Sequence, residues 1–165
     1  MSLTMSTSTV DDNLYSYDTL FSKNHITTNQ IIEKIKTGKI DEILNGYIHI
    51  NDNGIIIEPK YLKQFANQHT YDLIVNYMDQ TIIHFFMTKR DTFNMYINLQ
   101  SVSIIDVEKH SNFFRYISTL FSTKYPDKLN KCYLYKASMV FETIFKVIKG
   151  FIDKATLDKL CLIKE

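Results

Sequence analysis

Residues Tyr125–Glu165, YPDKLNKCYLYKASMVFETIFKVIKGFIDKATLDKLCLIKE, decide the fold. Tyr125-Pro126 breaks the helix before it, because proline lacks an amide hydrogen and its ring crowds the preceding turn. Lys131–Tyr135 then reads as a strand, Ser138–Gly150 as a strongly apolar helix, and Lys159–Ile163 as a second strand. Two strands joined through a helix favour parallel pairing with a right-handed crossover.

The pattern extends upstream. Phe93, Met95, Ile97 and Leu99 alternate with Asn94, Tyr96 and Asn98, the period of a strand with one apolar face and one polar or aromatic face. Ser101–Lys109 reads as a loop. Phe113, Phe114, Ile117, Leu120 and Phe121 form the stripe of a helix that begins at Ser111 or Asn112. The order from Phe93 is therefore β-α-β-α-β. His69–Met87 is the longest helical pattern. Before it, Tyr47–Ile50 and Ile55–Ile57 flank Asn51-Asp52-Asn53-Gly54 and suggest a hairpin, closed off at Glu58-Pro59. Thr28 reads as the N-cap of a helix carrying Ile31, Ile32 and Ile35 and ending at Gly38, and Lys39–Leu44 as a short helix stopped by Asn45-Gly46. These elements predict an α/β fold with a mixed, mostly parallel sheet flanked by helices. Residues 1–27 read as a polar, partly flexible N-terminal tail, within which Leu14–Ile26 could dock as a short helix, and residues 28–165 as a single domain.

At 165 residues and 45% hydrophobic content the chain can bury a core without disulfides. The formal charge of +1, from 19 basic and 18 acidic residues, argues against general nucleic-acid binding, which calls for a basic face. Cys132 and Cys161 sit in apolar strand patterns and read as buried free thiols in a reducing compartment. With no apolar run of membrane-spanning length and no signal-peptide pattern, a cytoplasmic location is expected.

Catalytic signatures are missing. Gly38, Gly46, Gly54 and Gly150 do not occupy a strand-to-helix turn of the kind that cradles phosphates, and there is no Gly-x-Ser-x-Gly elbow. The histidines lack the i, i+4 spacing of a helical zinc site, and no Cys-x-x-Cys is present. His84 is compatible with a general base or with a structural histidine, and Cys132 with a nucleophile or with a packed strand residue. No cofactor or metal is expected, and the chain is read as a non-enzyme.

Tyr125-Pro126-Asp127-Lys128-Leu129, followed by a strand, an aromatic-rich helix and the Lys159-Leu160 strand, resembles the CRAL-TRIO (Sec14-like) lipid-binding domain family. Phe93–Ser103 is similar to that family's strand ending in Asp-x-x-Gly-x-Ser, and Gly54–Ile57 to its early strand. The pattern departs where Lys136-Ala137-Ser138 replaces Asn-x-Pro, where Asn98 replaces an aspartate, and where Gln100-Ser101 replaces the glycine region. The family usually continues beyond the last matched strand, so a C-terminally truncated version is expected. Its outline resembles the divergent branch that includes BCH-type interaction domains.

The resemblance implies a hydrophobic cavity between the strands and a gate helix, whose counterpart is Ser138–Phe151. Implied ligand-binding positions are Phe93, Met95 and Ile97, or alternatively Tyr96, on one strand, Tyr133 and Tyr135 on the next, and Met139, Phe141, Ile144, Phe145 and Ile148 on the helix. Sequence leaves open which alternate of each strand faces the helix, because a one-residue slip inverts the faces. Lys146 and Lys149 flank the apolar surface as headgroup-binding candidates. The apolar surface of 138–151 exceeds the roughly 100° stripe that one sheet contact needs. It is compatible with burial on two sides, with a lipid or hydrophobic ligand and transient membrane contact, or with a homodimer or protein partner. The expected function is non-catalytic binding of a lipid or other hydrophobic small molecule, in lipid transfer or sensing, with a protein-interaction module as the alternative.

Overall fold

The computed structural model describes residues 6–8, 14–21 and 26–164; residues 1–5, 9–13, 22–25 and 165, which include much of the expected tail, lie outside the described residues. In chain order the elements are β1 (Ser6–Ser8), α1 (Tyr17–Phe21), α2 (Thr28–Lys36), α3 (Ile40–Tyr47), β2 (Ile48–Ile50), β3 (Gly54–Ile57), α4 (Lys60–Lys63) and α5 (Tyr71–Thr88). There follow β4 (Phe93–Asn98), α6 (Ile104–Lys109), α7 (Ser111–Lys124), β5 (Leu129–Tyr135), α8 (Phe141–Ile148), α9 (Lys154–Leu157) and β6 (Leu160–Ile163). Among the described residues the sheet has six strands in the order β1-β6-β5-β4-β3-β2. The β2–β3 hairpin is antiparallel and every other pair is parallel.

The hairpin forms as its sequence suggests. Asn51 Oδ1 accepts from the backbone amides of Asn53 and Gly54, an Asx arrangement that closes the four-residue connection. Gly54 has a second reason for its identity: a Cβ there would lie 1.9 Å from the carbonyl oxygen of Asn94 on the neighbouring strand. The glycine lets β3 and β4 approach.

Several local expectations shift. The cap of α2 is Thr27 rather than Thr28, and it forms a reciprocal capping box with Gln30. Asn45-Gly46 does not stop α3, which runs on to Tyr47. Gly46 is there for space, since its Cβ would meet the Tyr61 ring at 2.3 Å. The expected loop 101–109 contains α6, nucleated by a capping box between Ser103 and Asp106. The apolar helix is shorter than its pattern, spanning Phe141–Ile148. Val140 offers no side-chain cap, and i+3 bonds from Phe141 to Ser138 and from Gly150 to Val147 tighten both ends into turns.

The sheet is covered on both faces, as parallel strands require. On one face α5 and the early helices bury Ile74, Met78, Ile82 and Phe85 against Ile55, Ile57 and Phe93. Tyr125, at the helix break, is fixed to α5 by a hydrogen bond to Asp79, which also pairs with Lys124 at 2.7 Å. The opposite face is closed by the N-terminal segment. Leu20 and Phe21 are buried against Ile56, Tyr96, Tyr133, Tyr135, Cys161 and Ile163. Leu14–Phe21 thus packs as part of the domain, and Ser6–Ser8 extends the sheet alongside Cys161–Ile163.

Polar bonds fasten this cover. Tyr135 donates to the carbonyl of Tyr15 at 2.7 Å, and Asn53 Nδ2 donates to the Tyr15 hydroxyl at 2.6 Å. Asn98 Nδ2 donates to both Tyr17 Oη and Glu58 Oε1, each at 2.9 Å. Glu58 is only 1% exposed. Burial raises its carboxyl above the ordinary glutamate range, against the opposing effects of the Asn98 bond and nearby Lys60.

Two expected outcomes follow from this packing. Gly54→Ala costs about 1–3 kcal/mol by overpacking against a backbone atom that cannot swing away; an unchanged urea midpoint would contradict the close approach. A carboxyl whose value is raised by folding holds its proton more tightly in the folded state, so its contribution falls as pH climbs through the interval above the ordinary glutamate value. Glu58→Gln should therefore gain stability relative to the parent chain across that interval, measured as urea midpoints at stepped pH. Parallel curves for the two proteins would rule the effect out.

Candidate functional site

A cavity of about 470 Å³ lies between the sheet and the helices on the face opposite the N-terminal segment. That volume is within the roughly 300–1,000 Å³ of small-molecule sites. Its floor comes from one face of the strands: Met95 and Ile97 on β4, Leu129, Cys132 and Leu134 on β5, where a register shift brings Leu129 and Cys132 to the same side, and Leu160 on β6. Met78 and Ile82 of α5 form one wall, Phe113, Phe114, Ile117 and Phe121 of α7 another, and Phe141, Phe145 and Ile148 of α8 a third.

Burial along β4 shows the cavity independently. Tyr96 and Asn98 are buried beneath the N-terminal cover, whereas Met95 and Ile97, which point between sheet and helices, are only half-buried. An apolar strand face under three helices would ordinarily be the more buried of the two. Here solvent reaches it through the space those helices leave.

The register settles the alternation that sequence left open. Tyr96 pairs with Tyr133 and Ile97 with Leu134, so the members of each pair share a face across the two strands. Phe93, Met95, Ile97, Phe141, Phe145 and Ile148 line the cavity together. Tyr133 and Tyr135 do not; they face the other side of the sheet, where Tyr133 stacks on Tyr96 at 5.4 Å and Tyr135 meets Phe21 edge-on at 5.4 Å. Cys132 and Leu134 take the positions expected of those tyrosines. Ile144 is buried but does not border the cavity, and Met139 is fully exposed in the turn before α8. Lys146 and Lys149 lie on the outer side of α8, with the Lys149 ammonium 6.0 Å from the Phe145 ring centre.

Lining residues that the sequence reading missed cluster on α6 and its approach: Leu99, Ser101, Val102, Asp106, Val107 and His110. The Ser103-x-x-Asp106 spacing was the available signal for that helix. Charged groups thus border the cavity at two places, and Ser118 and Ser122 of α7 border it as well. Near the carboxyl ends of β3 and β4 stand Lys63, Ser101, Asp106 and His110. Asp106 accepts from the amide and hydroxyl of Ser103 and pairs with Lys63 at 3.5 Å. Burial opposes ionisation of this carboxyl, but the Ser103 bonds and Lys63 outweigh it and hold it below the ordinary range. His110 bonds to the Tyr71 hydroxyl, and burial, helped by Lys109 and resisted by Asp106, pushes its imidazole down towards the neutral form. Near the amino ends of the strands stand Asp127, Asp153, Thr156 and Lys159.

Neither cysteine is placed to react. Burial, reinforced by Cys161, pushes the Cys132 thiol up to about 12. Cys161 is buried on the other face of the sheet. His84 is exposed on α5 and does not border the cavity. Among the described residues no group of His, Cys, Asp and Glu is arranged to hold a metal, and no helix is long and apolar enough to cross a membrane.

The fold and cavity define a small α/β domain built around an apolar chamber. The CRAL/TRIO domain profile matches residues 48–165, and the chain belongs to that family, whose members bind or transfer lipids, generally without catalysis. Over 64 residues, 39% of this chain, it is 31% identical to the Sec14 cytosolic factor of Schizosaccharomyces pombe and 33% identical to the SEC14 cytosolic factor of Yarrowia lipolytica. Those matches span 22% and 13% of the two relatives' lengths. In three dimensions the chain is similar to the crystal structure of Sfh5, with a TM-score of 0.62 and 18% identity, over 74% of this chain and 49% of that one. The latter likeness is one of fold.

The thiol chemistry gives a direct check. At neutral pH maleimide should label Cys132 only after the protein is unfolded, because the thiolate that reacts is scarce at a value near 12. Rapid labelling of Cys132 in the native protein would contradict the burial described.

Proposed function

We propose that this domain binds a lipid or another hydrophobic small molecule without catalysis, in the service of lipid transfer or sensing. The observation that supports this most is the apolar chamber under three helices, in whose floor Met95 and Ile97 stay partly exposed while Cys132, Leu134 and Leu160 are buried. A ligand seated there would remove that apolar surface from water at roughly 25 cal/mol per Å². Membership of the CRAL/TRIO family supports the same reading.

In this reading Phe93, Met95, Ile97, Phe141, Phe145 and Ile148 contact the ligand, joined by Cys132, Leu134 and the phenylalanines of α7. Helix α8 is the movable wall. It rests against α6, and the turn after it leans on α7 through Phe114 and Phe151, stacked at 6.3 Å, and through Ser122 and Asp153. Its other hold is apolar, Phe141 and Phe145 packed with Cys132, Leu134 and Leu160, and a shift of the helix that parts this packing would admit a ligand. Lys146 and Lys149, on the outer side of α8, would face anionic headgroups during a transient membrane contact. The domain would act in the cytosol, where the names of its fungal relatives place those proteins.

Met139 and Val140 favour a second reading. They are 102% and 52% exposed beside the movable helix, an unusual place for apolar side chains without a partner. A homodimer or protein partner could cover them. Phe141, Ile144 and Phe145 turn inward instead and are not available for that contact.

Native mass spectrometry of the purified protein after incubation with lipid vesicles tests the first reading. A stoichiometric lipid adduct is expected, and Ile97→Trp should reduce its yield about tenfold or more by filling the floor. A clean mass with no lipid uptake would overturn the reading. A concentration-dependent dimer abolished by Met139→Asp would instead establish the second.

A further inference from the structure

The cavity's charged border bears on which amphiphile fits, an inference that rests on the lipid-binding reading above. The charged residues that line the chamber, among those described, are three aspartates, Asp106, Asp127 and Asp153, and two lysines, Lys63 and Lys159. They divide between the two polar places. At the carboxyl ends of the strands Lys63 is already matched by Asp106 at 3.5 Å. Asp106 is itself fixed by the Ser103 hydroxyl and amide, so it stays in place whatever enters. His110, next along this rim, is held by Tyr71 and kept from protonation chiefly by burial. It adds hydrogen-bonding capacity and no charge. At the amino ends two carboxylates stand beside one lysine, and Asp153 is committed to Thr156 through its amide and hydroxyl.

A phosphate or carboxylate drawn to either place would meet a carboxylate at close range, and like charges in such surroundings are costly. A hydroxyl, carbonyl or ester would not. Any of these could accept from Ser101 or Lys63, and a hydroxyl could also donate to Asp106, leaving the existing pair intact.

We propose that the chamber selects an amphiphile whose polar end is uncharged, and that Asp106 is a specificity-determining residue because it keeps Lys63 matched. The apolar body lies over Met95, Ile97 and Leu134, and the polar end sits between Ser101, Asp106 and His110. Asp106 discriminates by repelling an anionic head directly and by occupying the one lysine at that rim.

Two lipids with the same oleoyl chain separate the possibilities: 1-monooleoylglycerol, which is neutral, and 1-oleoyl lysophosphatidic acid, which adds only a phosphate. Both are offered together at equal amounts in phosphatidylcholine vesicles, and the protein is re-isolated and extracted for mass spectrometry. The parent protein should carry the neutral lipid in about tenfold or greater excess. Asp106→Asn, which keeps a hydrogen-bonding group for Ser103 while releasing Lys63, should bring the ratio to about parity or reverse it. Ser101→Lys adds a cation at the same rim from a loop position without touching the α6 capping box, and should shift the ratio in the same direction. Parity or an excess of the phosphate lipid on the parent protein would overturn the charge selection while leaving lipid binding intact. So would a ratio unmoved by Ser101→Lys. Recovery of neither lipid, nor of phosphatidylcholine, would overturn the lipid-binding reading and this proposal with it.

Discussion

Parallel pairing of β4 with β5 sets the direction of every side chain on which the domain depends. Once Tyr96 lies beside Tyr133 and Ile97 beside Leu134, one face of the central sheet is aliphatic and the other is aromatic and polar. Both faces need covers, because parallel strands leave neither to water. The covers differ in kind. The aromatic face receives a short chain segment that fits closely and bonds through Tyr15, Tyr17, Asn98 and Glu58. The aliphatic face receives helices that stand away from it. A chamber results from the second solution and is possible because the first holds the sheet from behind.

The two covers also distribute polarity differently. Glu58 and Asn98 are buried where their bonds are complete, and among the described residues no buried side-chain nitrogen or oxygen lacks a partner. Charged groups around the chamber sit at its ends, where water or a ligand reaches them. The middle is left to Met95, Ile97, Leu134 and the phenylalanines. An apolar body with polar extremities is the shape an amphiphile presents, and the chamber is its complement.

Much of the fold was legible because it rests on period and punctuation. The alternation of Phe93–Leu99, the break at Tyr125-Pro126 and the apolar run before Gly150 identify the β-α-β-α-β core, and the resemblance to the CRAL-TRIO family drew on the same residues. Other features escaped for physical reasons. Strand residues alternate with period two, so Tyr133 and Leu134 are equally good lining candidates until the ladder fixes a face. The tyrosines are among the implied lining positions, yet those rings serve the closed side. Helix α6 is six residues long and too short to show a period; only its capping pair announces it. Gly46 resembles a helix stop in sequence, and its purpose is visible only with the Tyr61 ring in place. The role of Leu14–Phe21 is a long-range one that local patterns cannot carry.

That last segment imposes an order of events on biosynthesis. Tyr15 leaves the ribosome early, but the hydroxyl that holds its carbonyl belongs to Tyr135, 120 residues later. The strand beside Ser6–Ser8 is later still, at Cys161–Ile163. Until those residues emerge, the first segment can meet only a part of the face it will cover, such as Asn53, Ile56, Tyr96 and Asn98. Contacts of such wide sequence separation form slowly, because the chain between them must be gathered first. The N-terminal cover is therefore complete only once β5 and β6 are in place, and Leu20 and Phe21 lack part of their packing until then.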